Sequence, residues 1–378
     1  MTKSVLREPG MPLLVAMTAF GFTGYAALMP VAPLWAAHGG ADAGGVGLVN
    51  GVLMLATVLT QLMVPAALRR LGWVPVLVGG VTFLGLPTAG FFFSDDLLSI
   101  LFFSALRGIG FGIITVTGSA LTAELVPVMR RGEAIGMYGL AVALPQIVFV
   151  SAGAWIVDQF AFEVIFAVGL LPILGVFPAW KLGQRVGRVP KPLDPPPYRA
   201  LVRPMILLLA VTLAGGVLIT FMAQMVASSG LVTVALLVML VTTAFVRWRV
   251  GMTADRVGPG KFVLPLVMST VIGLVLISFA VRDPIDTSVP LLIIGSFFVG
   301  AAYGGLQNLT LLLSFGAVDR QHYGAASTTW NVGFDMGTGT GSILIGWIAT
   351  GSDFSTGLLV AAGISALTIP LALRSRKS

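Results

Sequence analysis

The chain has 378 residues, 57% of them hydrophobic and only 10% charged, with no cysteine and a formal net charge of +7. That composition excludes an ordinary soluble globular protein, and the missing cysteines exclude disulfides, a thiolate nucleophile and a Cys-ligated metal. A positive balance of this size also suits nucleic acid, but the basic residues fall on one face of a series of apolar spans, so membrane orientation and anionic lipid account for them and no nucleic-acid partner is expected.

In chain order the apolar runs cover 11–37, 45–68, 73–93, 97–126, 133–157, 162–180, 202–227, 230–249, 261–281, 289–314, 322–349 and 354–373. A span needs about 20 apolar residues to cross roughly 30 Å of hydrocarbon, so twelve need on the order of 240 residues. They are predicted to be helices, because backbone in lipid must satisfy its own hydrogen bonds. The first run is too long for a cleavable signal and lacks a clear cleavage site. Local punctuation marks several boundaries, as at Gly39-Gly40, Ser94-Asp95-Asp96 and Ser228-Ser229-Gly230. Trp35, Trp155 and Trp347 fall near the outer ends of spans and Trp73, Trp180 and Trp248 near inner ends, where an interfacial belt is expected.

Twenty of the 22 Lys and Arg residues precede the first span or follow an even-numbered one. Positively charged loops stay inside, so the chain is expected in the cell (inner) membrane with both termini cytoplasmic. Arg107 and Arg282 are the two exceptions, and Arg107 lies within a span.

After the sixth span comes a basic stretch with Pro190, Pro192, Pro195, Pro196 and Pro197, read as a semi-rigid connector. It divides the chain into an N-terminal six-helix half (1–180), a linker (181–201) and a C-terminal half (202–378). The halves look related. The stretch ending at Gly72 after span two and the stretch Gly251–Gly258 after span eight lie 186 residues apart, and the residues before spans five and eleven match at a similar offset. Repeated halves indicate a transporter, with its substrate site between them near the midplane.

Arg107 and Asp335 stand roughly ten or more residues from their span ends, about 15 Å at 1.5 Å per residue. A charge there is costly unless paired or hydrated, which makes each a functional candidate. For Arg107 the readings are substrate contact or helix gluing through carbonyls. Desolvation favours the neutral form of Asp335, the behaviour a proton carrier needs; the other reading is a structural acid bonded to backbone. Asn331 shares a helical face with Asp335, four residues away, and Trp330 flanks it. Gly333, Gly337 and Gly341 form a second stripe suited to close helix packing. Tyr25, Gln146, Gln224 and Asn308 are further candidates for lining a substrate cavity. Glu124, Arg130 and Arg131 form a charged cluster at the inner ends of spans four and five. No Walker A motif, metal-ligand cluster or nucleophile–base set appears, so neither an enzyme nor a cofactor is expected.

The stretch Gly251-Met-Thr-Ala-Asp255-Arg256-Val-Gly258-Pro-Gly-Lys261 resembles the loop motif G-x-x-x-D-R-x-G-x-x-K/R of the major facilitator superfamily. The first-half copy departs from it, with Arg69 where the family has Asp. Arg107-Gly-Ile-Gly-Phe-Gly112 is similar to the family's R-x-x-x-G segment, and the stretch Asn331–Ser342 resembles a segment of its bacterial efflux permeases. The resemblance implies an all-α membrane protein of twelve transmembrane helices, with two pseudo-symmetric six-helix bundles around a central cavity. It also implies a cytoplasmic gate at Gly251, Asp255, Arg256 and Gly258, helped by Glu124, Arg130 and Arg131.

The function so implied is secondary active transport by alternating access in a monomer. The favoured mode is export of a small organic compound, a drug or metabolite, in antiport with protons carried by Asp335. Span five keeps Pro145 but not the glycines that flank it in drug–proton antiporters, and span one has no acidic residue, so strict selectivity for cations is not expected. The alternatives are proton-coupled import of a sugar or organic acid, and a membrane sensor that binds without translocating. The sensor is disfavoured because spans and loops consume the chain.

Overall fold

The computed structural model describes residues 5–126, 130–187, 196–319 and 322–375, and everything regular among them is helical. The helices are α1 (Met11–His38), α2 (Ala43–Leu71), α3 (Trp73–Gly85), α4 (Leu97–Glu124), α5 (Arg131–Pro145), α6 (Ser151–Gln159), α7 (Phe162–Gly169), α8 (Val176–Gly183), α9 (Tyr198–Met225), α10 (Ser229–Val257), α11 (Gly260–Ala280), α12 (Val289–Gly316), α13 (Tyr323–Gly351), α14 (Phe354–Ala366) and α15 (Ile369–Ser375). Eleven segments among the described residues are long and apolar enough to cross a membrane. The helix α13, with 29 residues, stands outside that set. It occupies the expected eleventh span and carries the polar run from Trp330 to Ser342. Exposed Leu98, Phe177 and Ile294 cover helix surfaces, as a lipid-facing protein requires.

Several crossings are composite, and proline is the common cause. Pro87 lies in the 3₁₀ segment Leu86–Phe92 that continues α3, and Pro172 in the 3₁₀ segment Leu171–Gly175 between α7 and α8. Proline has no N–H to donate and its ring clashes with the carbonyl four residues back. Pro145 closes α5, and a π-helical turn, Gln146–Val150, joins it to α6. The connector is shorter than expected, because α9 starts at Tyr198 and carries Pro204 inside it. Residues 188–195, with most of its prolines, lie outside the described residues. Caps agree with the punctuation: Asp96, Ser228 and Asp353 accept from the backbone N–H of Ser99, Leu231 and Thr356.

The tryptophans mostly sit as a belt needs. Trp155, Trp180, Trp248 and Trp347 are exposed. Trp73 departs, being buried and donating its indole N–H to the Gly187 carbonyl at 2.7 Å. Trp35 stacks on His38.

Two compact units form, Met1–Val31 with Val52–Leu193, and Ala32–Gly51 with Asp194–Ser378. Each contains the same motif. In the first, α2 and α4 approach closely: Thr57 donates to the Gly108 carbonyl at 3.1 Å and Gln61 to the Thr115 hydroxyl at 3.1 Å. In the second, Thr243 of α10 donates to the Gly300 carbonyl of α12 at 3.1 Å, and Arg247 to the Gln307 side chain at 3.2 Å. Thr57 and Gln61 lie 186 residues before Thr243 and Arg247, and Gly108 and Thr115 lie 192 before Gly300 and Gln307. The halves therefore repeat a specific hydrogen-bonded helix pair as well as a loop sequence. The turn glycines Gly72 and Gly258, also 186 apart, both adopt positive φ, 82° and 88°, a region other residues rarely enter.

Glycine sets the close approach within these pairs. A side chain at Gly304 would overlap the Thr243 carbonyl oxygen, and one at Gly108 the Leu53 carbonyl oxygen. Backbone cannot swing aside as a flexible side chain can. Gly304→Ala is expected to destabilise the second unit by about 1–3 kcal/mol, read as a lower Tm in detergent. An unchanged Tm would show that α10 and α12 separate without cost. The glycine stripe of α13 behaves as expected: Gly337 and Gly341 pack against the Leu209 and Leu213 backbone of α9.

Candidate functional site

In the first unit, Arg107 sits in the middle of α4 with no exposed surface. Its Nη2 donates to the Gly24 carbonyl of α1 at 3.1 Å, and its guanidinium lies 6.0 Å from the Phe91 ring centroid. Nε and Nη1 have no hydrogen-bond partner. Next to Gly24, Tyr25 stacks face to face on Phe111, with centroids 3.8 Å apart and planes 4° from parallel, and Phe22 meets both rings edge-on. Phe111 is one turn beyond Arg107 on α4. The two expected residues Arg107 and Tyr25 therefore meet, and Phe111 joins them. Gln146 lies elsewhere, at the start of the π-helical turn, where its amide bonds the Val142 carbonyl four residues back. Such turns often mark functional positions in helices.

In the second unit, Asp335 is 2% exposed in the middle of α13. Tyr303 of α12, also buried, is in electrostatic reach of both Asp335 and Arg247 and lies across Gly215 of α9. Phe334 packs against Tyr303 and Trp330. Trp330 donates its indole N–H to the Thr310 hydroxyl of α12 at 3.1 Å, and Asn331 bonds the Ser327 carbonyl within its own helix. Trp330 thus fixes α13 to α12 beside the acid. Gln224 of α9 has a buried amide nitrogen with no partner. Asn308 donates to the Arg247 carbonyl at 3.1 Å, tying α12 to the Arg-rich end of α10.

The expected gate residues are spread over both units. Gly251 faces the Asn308 side chain, and Gly258 makes the turn after α10. Asp255 and Arg256 lie in the last turns of α10 and Arg131 opens α5, but their side chains lie outside the described residues. Glu124 is exposed at the end of α4. Arg130 pairs with Glu8 and Glu133, and Glu133 also accepts from the Val5 N–H at 3.0 Å. These contacts bind the short 3₁₀ helix Val5–Arg7 to the start of α5. The pairs are partly exposed, so Arg130→Ala is expected to cost no more than about 1 kcal/mol. It should nonetheless speed hydrogen exchange at Val5 through Met11, and unaltered exchange there would refute the strap.

One polar cluster has no counterpart in the sequence reading. Asn50 of α2 donates to the Thr220 hydroxyl of α9 at 2.9 Å, and Thr220 is 2.9 Å from the Ser342 hydroxyl of α13. All three are buried. Beside them Gly47 lies against the Ser342 carbonyl, Gly51 against Ile343, and the Gly44 N–H donates to Thr350 at 2.8 Å. The hairpin 32–51 is therefore seated on α9 and α13 within the second unit.

Long apolar helices, a repeated helix pair and, among the described residues, one buried charged side chain in each half define a polytopic membrane transport protein. A family model described as Major Facilitator Superfamily matches residues 14–248, more than half of the chain, and the chain belongs to that superfamily. Solved structures agree in fold. A bacterial homolog of the human lysosomal transporter Spinster, inward-facing and unoccupied, superposes with a TM-score of 0.76 at 13% identity, covering 99% of this chain and 98% of that one. The POT family transporter PepTSo gives 0.78 at 10% identity, with 98% of each chain covered. The nucleoside transporter NupG gives 0.71 at 13% identity, covering 97% of this chain and 99% of that one. Among curated proteins, a "Probable 4-methylmuconolactone transporter" of Cupriavidus pinatubonensis (strain JMP 134 / LMG 1197) is 27% identical over 164 residues. That match spans 42% of this chain and 37% of the relative's length.

Proposed function

We propose that this protein exports a small organic compound across the cell membrane in exchange for protons, by alternating access of its two repeated halves, with both termini cytoplasmic. The observation that carries the coupling is Asp335, buried beside Tyr303 in the middle of α13, the long helix that stands outside the eleven apolar spans. A carboxyl group held out of water is stable when neutral and costly when ionised, so its protonation can be exchanged for another occupant of the same conformation. Arg107 supplies the corresponding charge in the first half, at a position whose repeat equivalent, 192 residues on, is Val299. The two halves are thus alike in scaffold and unlike in chemistry. The curated relative is named for transport of a small organic compound, in keeping with this reading.

The domain division 1–180, 181–201 and 202–378 belongs to this proposal, as does the cytoplasmic placing of Gly251, Asp255, Arg256, Gly258, Glu124, Arg130 and Arg131. A monomer suffices, since one chain holds both repeats.

The test uses inverted membrane vesicles energised with an acid lumen and a panel of labelled lipophilic cations, sugars and organic acids. Export predicts that a panel member accumulates inside and leaves when the pH gradient is collapsed with nigericin. Accumulation only in right-side-out vesicles would overturn the direction and make the protein an importer. Binding without movement in either orientation would make it a sensor.

A further inference from the structure

The geometry points to an organic carboxylate as the ligand of Arg107, its flat or apolar body lying on the Tyr25–Phe111 pair. This names a substrate class for the transporter proposed above and rests on that reading.

A guanidinium that merely joins two helices spends its donors on their carbonyls. Arg107 gives one hydrogen bond to Gly24 and leaves the Nε–H and both N–H bonds at Nη1 without an acceptor. Among the described residues it makes no ion pair. The sequence supplies none nearby on α4, whose flanking acids are Asp96, eleven residues before it, and Glu124, seventeen after. At 1.5 Å per residue these stand roughly 16 and 25 Å along the helix. Phe91, the aromatic neighbour, offers only a ring face at 6.0 Å. A fully buried, permanently charged group with free donors and no counter-ion is matched by an anion, and a carboxylate accepts charge-assisted bonds from several N–H groups at once.

The surroundings narrow the class. Around the charge the structure places rings and small residues: Gly24 and Tyr25 on α1, Phe91, and Phe111 one turn away on α4 stacked on Tyr25, with Phe22 edge-on to both rings. Such a surface favours an apolar or aromatic body over a polyhydroxylated one. Gly24 is itself pressed against Pro172, where a larger residue would overlap the proline ring. The carbonyl that fixes Arg107 is therefore held in place by the 3₁₀ segment behind it. Arg107 has no exposed surface here, so an anion reaches it in a conformation that parts this packing.

The experiment measures Tm of the full-length protein in phosphatidylcholine nanodiscs with benzoate, benzamide and benzylamine, and with the matching hexanoate, hexanamide and hexylamine. A carboxylate is expected to raise Tm where its amide and amine do not. Equal shifts from acid and amide, shifts from the amines, or no shift from either acid would overturn the assignment. In Arg107→Gln the acid-specific shift should vanish, and its survival would also overturn the assignment. Arg107→Lys, which keeps the charge but loses the fork, covers a Gln variant that fails to fold. It should bind the acid at least about tenfold more weakly, and unchanged affinity would count against the site. Adding phosphatidylglycerol should leave the benzoate shift in place; its loss would give Arg107 to a lipid headgroup instead. Benzoate counterflow in proteoliposomes separates the two readings. A shift without counterflow keeps the anion site and sinks the transporter, whereas counterflow of a neutral panel compound without any acid shift sinks the anion site alone.

Discussion

Asp335→Asn is expected to abolish proton-driven accumulation while leaving substrate exchange intact. The amide is nearly the same size as the acid and keeps hydrogen-bonding capacity, so packing beside Tyr303 and Trp330 survives. It cannot take up and release a proton. One proton moving down 100 mV and one pH unit supplies about 3.7 kcal/mol, enough for a roughly 500-fold gradient of a neutral substrate. Without the titrating group the gradient should fall to unity. Counterflow, which needs only that the loaded carrier reorient, should continue at a comparable rate. Proteoliposomes with an imposed pH gradient measure both. Persistence of the gradient in the variant would remove Asp335 from the coupling path. Loss of counterflow together with accumulation would make it a structural residue of α13. The same comparison with Tyr303→Phe tests the neighbour: if the phenol helps to position the carboxyl, accumulation falls while Tm and counterflow hold.

The sequence was most informative where the bilayer leaves little choice. Helix α4 was expected at 97–126 and spans Leu97–Glu124, and α13 was expected at 322–349 and spans Tyr323–Gly351. Apolar length dictates such spans, and a misplaced end costs exposed backbone. Internal breaks were less legible, because a proline inside an apolar run shows that the helix is disturbed without showing how. Pro87 and Pro172 accompany 3₁₀ segments, Pro145 a π-helical turn, and Pro265 lies within an α11 that continues to Ala280. Arg107 and Asp335 were legible because charge in a span is conspicuous. The Asn50–Thr220–Ser342 bridge was not. Hydroxyls in these helices mostly bond the carbonyl one turn back, as Thr57, Thr212 and Thr310 do. Nothing in the sequence separates Thr220 and Ser342, which meet across helices, from the rest, and Ser342 also bonds the Thr338 carbonyl one turn back. Trp73 misled for a related reason: its position suited a belt, but its indole had a carbonyl to reach.

That bridge leads to the second large effect. The hairpin 32–51 belongs by sequence to the first repeat, yet it is seated on α9 and α13 of the second. If the hairpin moves with the first repeat during transport, this seat breaks and re-forms in every cycle; if it moves with the second unit, to which it is packed, the seat stays closed. Its construction suits the first course. Glycines at 47 and 51 give close approach without interlocking side chains, and the Asn50 amide reaches the Thr220 hydroxyl only when the surfaces meet. Gly47→Ala would place a methyl group on the Ser342 carbonyl oxygen. Overpacking of this kind costs about 1–3 kcal/mol, and 2 kcal/mol shifts a two-state population roughly 30-fold. The native chain has no cysteine, so a Gly44→Cys, Thr350→Cys pair reports the seat alone. The two positions are already joined by a 2.8 Å hydrogen bond. Oxidation should cross-link the pair readily and halt transport, with reduction restoring it. Adding Gly47→Ala should slow cross-linking by an order of magnitude or more. A cross-linked protein that still transports would show that the seat is permanent. A variant with lowered Tm but unchanged cross-linking would show that Gly47 serves packing and has no part in gating.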